Sequence, residues 1–184
     1  FNTAVGRQTA YNTTTGTHNT CLGYYSFAAN TTGSYNTSLG SVALDANTTA
    51  SNNTAIGYAA LSSNTTGTRN TAVGVEALES NVTGNYNTAL GFRALEANTA
   101  DSNTGVGDWA LGSNTSGADN TSVGTFALDA NTTGDNNTAV GKSALSANTT
   151  ADKNTAVGTS ALLKNTTGAT NTAVGYHALE ENTT

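Results

Sequence analysis

The dipeptide Asn-Thr recurs along this chain at Asn2, Asn19, Asn36, Asn53, Asn70, Asn87, Asn103, Asn120, Asn137, Asn154 and Asn171. The step is 17 residues throughout, except for 16 between Asn87 and Asn103, where one residue is missing around Thr99. A fixed internal period marks a stacked-repeat architecture and constrains the fold more than any local propensity does. The consensus is Asn-Thr-Ala-Val-Gly-x-x-Ala-Leu-x-x-Asn-Thr-Thr-Gly-x-x, and its positions are numbered here 1 to 17. Ten copies and most of an eleventh fill the 184 residues as a single repeat domain.

Seventeen residues are too few for two helices and their turns. They fit one coil of an all-β, parallel β-solenoid or β-roll. Thr-Ala-Val and Ala-Leu supply two short strands. The corners fall to the position-5 glycines, Gly6, Gly23, Gly40, Gly57, Gly74, Gly91, Gly107, Gly124, Gly141, Gly158 and Gly175, because glycine accepts backbone conformations other residues avoid. The position-1 asparagines named above are expected to stack coil on coil as a side-chain amide ladder and to cap turn amides. Eleven coils at about 4.8 Å each make a rod roughly 50 Å long.

Asn-Thr-Ala-Val-Gly-x-x-Ala-Leu resembles the repeat of the YadA-like heads of trimeric autotransporter adhesins. It is also similar to arrays in bacterial and phage tail-fibre-like proteins. The resemblance spans the whole chain and implies a parallel β-roll with three chains side by side. The present coil is longer than the adhesin repeat, with Asn-Thr-Thr-Gly in place of a shorter turn.

Position 4 is always aliphatic, from Val5 to Val174. Placing it inside the coil puts position 2 inside as well and turns positions 1 and 3 outward. Position 3 is nevertheless always small: Ala4, Cys21, Ser38, Ala55, Ala72, Ala89, Gly105, Ser122, Ala139, Ala156 and Ala173. A solvated face does not need small residues, whereas a face against another chain does. Two large apolar side chains per coil also look thin against the entropy of ordering the coil. These arguments predict a homotrimer packed through position 3, with a narrow single-chain solenoid as the alternative. Neither end carries a cap of the kind solenoids use. The expectation is an excerpt of a longer array, or a subunit whose open ends stack end to end into a filament.

Little points to catalysis. His18 and His177 lie near opposite ends of the array and have no partner at ligand spacing. Cys21 sits in the small column and reads as an alanine-like thiol. No nucleophile-elbow motif accompanies the serines. The acids Asp45, Glu79, Glu96, Asp129 and Glu180 share position 10; they read as a solvated stripe, with weak divalent-cation binding as the alternative. Sequons such as those at Asn30, Asn64, Asn131 and Asn165 arise from the Asn-Thr-Thr consensus itself. The expectation is a non-enzyme without metal or cofactor. Six basic residues against twelve acidic give no basic patch for nucleic acid, and no apolar run is long enough to span a membrane.

Aromatic side chains gather beside the corners, at Tyr24, Tyr25, Tyr58, Phe92, Trp109, Phe126 and Tyr176. Exposed there, they suit stacking on cell-surface glycans or packing on matrix proteins. The favoured function is a structural and adhesive segment of an extracellular fibre, on a cell surface or a virion. It would give rigid reach and multivalent contacts. The alternative is an ice-binding solenoid using the unbroken threonine column at position 2. The inward direction deduced for position 2 counts against it.

Overall fold

The computed structural model describes all 184 residues. The only regular elements are eleven three-residue strands, one per repeat. They are β1 (Thr3–Val5), β2 (Thr20–Leu22), β3 (Thr37–Leu39), β4 (Thr54–Ile56), β5 (Thr71–Val73), β6 (Thr88–Leu90), β7 (Thr104–Val106), β8 (Thr121–Val123), β9 (Thr138–Val140), β10 (Thr155–Val157) and β11 (Thr172–Val174). All pair parallel in sequence order within one sheet. The chain is therefore a β-solenoid of about 17-residue coils, with no helix long and apolar enough to cross a membrane.

The register is identical at every step, threonine beside threonine and aliphatic beside aliphatic. The short coil does not disturb it. Thr88 pairs with Thr104 and Ala89 with Gly105, so the turn absorbs the missing residue.

The expected second strand, Ala-Leu, is a turn instead. Positions 7, 9 and 17 of successive coils take left-handed backbone, with φ between 49° and 63°. The N–H groups at these positions still bond along the rod axis: Tyr25 N donates to Arg7 O of the coil before, and Leu44 N to Ala60 O of the coil after. The corners thus cohere as the sheet does, and 99 of the 119 backbone hydrogen bonds lie outside the strands. Left-handed backbone costs a β-branched residue most. Position 9 is Leu from Leu44 to Leu179 and never Val or Ile, although Val42 at position 7 and Thr170 at position 17 do take this backbone.

The inward and outward assignment deduced from position 4 is reversed. Within each internal strand the middle residue is buried and its two neighbours are exposed or half-exposed. The interior holds the position-3 column, the alanines of position 8 and the leucines of position 9, with Leu61, Leu78 and Leu95 fully buried. A coil this narrow has no room for a second bulky side chain opposite leucine. The inward strand residue is therefore small, and the aliphatic one faces out. This removes the basis for a trimer through position 3, because Ala55, Ala72 and Ala89 have no exposed surface to offer another chain.

Position 5 carries the invariant glycines at φ between 130° and 145°. At Gly57 a Cβ would also stand 2.4 Å from Gly74 O of the next coil, so both conformation and axial stacking exclude a side chain.

Candidate functional surface

Two asparagine ladders build the rod. The position-1 asparagines from Asn19 to Asn154 are buried rather than outward-facing. Each internal one accepts at Oδ1 from the backbone N–H of the asparagine one coil on, at 2.8–2.9 Å across all ten steps. Its Nδ2 donates to the position-15 carbonyl of its own coil, as Asn70 does to Gly84 O at 2.8 Å. The position-12 asparagines form a parallel ladder through side-chain amides, as in Asn64 Nδ2 to Asn47 Oδ1 at 3.2 Å. This second ladder breaks once. Asn98, in the short coil, donates to Ala100 O at 2.9 Å, and buried Asn81 Oδ1 has no partner. Ala100 stands where most coils have glycine, but Ala50 and Ala151 do so in full-length coils, so alanine there is not the mark of the deletion.

These ladders hold up a sheet face with two outward columns. Position 2 contributes eleven threonines, none of them buried. Position 4 contributes Val, Leu or Ile, exposed to 45% at Leu22 and 48% at Leu90. The threonine columns divide by role. At position 13 the hydroxyls are spent on the stack: Thr31 Oγ1 donates to Thr48 O at 3.0 Å, and Thr132 Oγ1 to Thr149 O at 3.0 Å. The position-2 hydroxyls enter no such bond and are left to solvent. None of the 18 charged residues falls at position 2 or 4, so the face is neutral from end to end.

The predicted aromatic contacts lie along the adjoining corner. Tyr24, Tyr58 and Phe92 occupy position 6 on alternate coils and are 48%, 54% and 45% exposed. Their spacing is about 10 Å at two coil steps. Trp109 and Tyr25 are half-buried, while Phe126 and Tyr176 are exposed. Arginines cover several of these rings: the guanidinium of Arg93 lies 5.2 Å from the centre of the Trp109 ring and 5.1 Å from that of Phe92. Such contacts contribute on the order of 0.5–1 kcal/mol at exposed sites.

Of the position-10 acids, Glu79 and Glu96 come together with Glu76, a position-7 residue that sequence reading did not single out. The signal was present in its spacing, one turn before Glu79. Arg93 Nε donates to Glu76 at 2.5 Å and lies 3.9 Å from Glu96. Burial, then the Glu76 and Glu96 charges, push the Glu79 carboxyl above its ordinary range, and Arg93 opposes this. Burial also raises the carboxyls of Asp45 and Asp129. His18 stacks on Tyr35, with ring centres 4.9 Å apart, and His177 bonds Glu180. The Cys21 thiol is buried and pushed up to about 12, which leaves it protonated and unreactive at neutral pH. No cavity or cleft opens into the rod.

Fold and surface together define a β-solenoid repeat protein, with its chemistry displayed on outward columns. No protein-family model, curated protein or solved structure matches this chain.

Proposed function

We propose that this chain is a non-catalytic structural segment of an extracellular fibre, an adhesin head or shaft or a phage tail fibre. The observation that carries the reading is the unbroken position-1 ladder, which repeats one bond geometry through ten coil-to-coil steps. A solenoid in which each coil is bonded to both neighbours, corners included, has no internal hinge. It transmits force along its axis and sets surface groups at a constant interval. The resemblance of the repeat to adhesin-head and tail-fibre arrays supports the same reading.

Contact with a partner would be multivalent and weak per site. The Tyr24, Tyr58 and Phe92 column offers rings at a regular interval for stacking on an extended glycan. Antibody raised against this chain, used on intact cells and on virions from the source culture, should decorate surface filaments. Label confined to the cytoplasm of permeabilised cells sinks the proposal. For the glycan contact, the purified chain should be retained on immobilised polysaccharide, and replacing the three rings by alanine should release it.

A further inference from the structure

We propose that the threonine–aliphatic sheet face binds the surface of ice. Four observations bear on it. The position-2 threonines are outward on every strand, and their hydroxyls are free while those of position 13 are consumed by the stack. In-register pairing repeats each hydroxyl at one axial interval, about 4.8 Å, close to the oxygen repeat of ice. The short coil leaves this rank unbroken, since Thr88 stays beside Thr104. Finally, the face excludes charge entirely although one residue in ten of the chain is charged.

Each feature suits a water lattice. A free hydroxyl both donates and accepts, and so takes a place in a hydrogen-bonded lattice of water. The methyl groups of threonine and the aliphatic column restrict the orientation of first-shell water without bonding it. Charged groups would impose their own hydration geometry, and the face has none. Side-chain ladders hold many-stranded sheets against twisting, and two such ladders run behind this one. A second copy of the chain would fit the apolar column. It would, however, have to desolvate a whole rank of hydroxyls, whereas water meets each without that cost.

The purified chain should open a gap between the melting and freezing temperatures of an ice crystal and should be taken up into slowly growing ice. Thr88→Lys puts a charge in the middle of the face at an exposed position. It should lose most of that gap while melting as a protein at the parent temperature. Thr66→Lys, on an exposed turn position outside the sheet, should keep it. Leu22→Val, Leu39→Val and Leu90→Val together leave every strand but β4 with valine in the aliphatic column and should widen the gap. A parent with no gap and no uptake into ice overturns the proposal. So does equal loss in Thr88→Lys and Thr66→Lys. Self-association of the parent that Thr88→Lys abolishes, in the absence of any ice activity, would assign the face to a second copy and equally overturn it.

Discussion

Gly105 looks across the coil interior at Leu95: a Cβ placed on it would stand 3.1 Å from Leu95 Cγ and 3.0 Å from Ala110 O. The small-residue column is therefore a steric requirement of the chain's own core, imposed by the leucine column opposite. It follows that Ala89→Leu overpacks the interior of one chain and does not break a contact between chains. The variant should lose about 1–3 kcal/mol. Denaturant titrations at two widely separated protein concentrations should give the same loss, with unchanged mass in solution. A loss that shrinks at high concentration would place the column in an interface after all.

The period, the place of the corner glycines and the position-1 ladder were all legible in the sequence, because each depends on a residue type that little else can replace. The direction of the strand faces was not. The reading gave the inward slot to the more hydrophobic column, Val73 and its equivalents, and left Ala72 outside. In a narrow coil size decides before hydrophobicity, and the restriction of position 3 to Ala, Ser, Gly and Cys was the better signal. The same inversion hid the sheet face, since a threonine column thought to point inward could offer nothing to solvent. The left-handed turn at Leu44 and Leu61 was invisible for another reason. Leucine is not a residue that announces positive φ, and full burial at these positions outweighs the backbone strain.

Asn87 holds two bonds at once, accepting from Asn103 N at 2.9 Å and donating to Ala100 O at 2.8 Å. Asn87→Ala leaves the buried Asn103 N–H unmet, while Ala100 O keeps its bond from Asn98 Nδ2. It should cost about 1–3 kcal/mol for that one buried donor, read as a lowered midpoint in chemical denaturation. A midpoint within error of the parent would show that solvent reaches the ladder.

The orphaned Asn81 Oδ1 marks the missing residue of the sixth coil. Inserting a threonine between Thr99 and Ala100 restores the 17-residue turn and lets Asn98 reach back to Asn81, as Asn64 reaches Asn47. The insertion should stabilise the chain by about 1 kcal/mol, the net worth of one buried hydrogen bond. An insertion that lowers the melting temperature would mean that the short turn is itself the better-packed form.

Lys153 is exposed and sits at φ 60°, where a side chain strains the backbone. Asn52 and Asn136 occupy the equivalent corner in other coils, and asparagine tolerates this region better than lysine does. Lys153→Gly should relieve about 1 kcal/mol of that strain, less what the more flexible unfolded chain takes back. The thermal midpoint should rise. A fall would show that the lysine stem shields the corner bond from Lys153 N to Asp135 O.

Burial raises the Asp45 and Asp129 carboxyls, and one oxygen of Asp129 is buried without a partner. An acid whose folded-state pKa lies above its unfolded value binds more protons folded than unfolded. Its contribution is then most favourable below the unfolded value and declines as pH rises through the folded one. From these two groups the chain should be more stable in mildly acidic solution than at neutral pH. The double variant Asp45→Asn with Asp129→Asn keeps an amide oxygen in place of each carboxylate but removes the half-buried charge. It should melt higher than the parent at pH 7, converge with it as the pH falls through the carboxylate range, and show a flatter profile of melting temperature against pH. Should the variant melt lower at pH 7, the backbone bonds to the charged form outweigh its desolvation, and the direction assigned to these two acids is wrong.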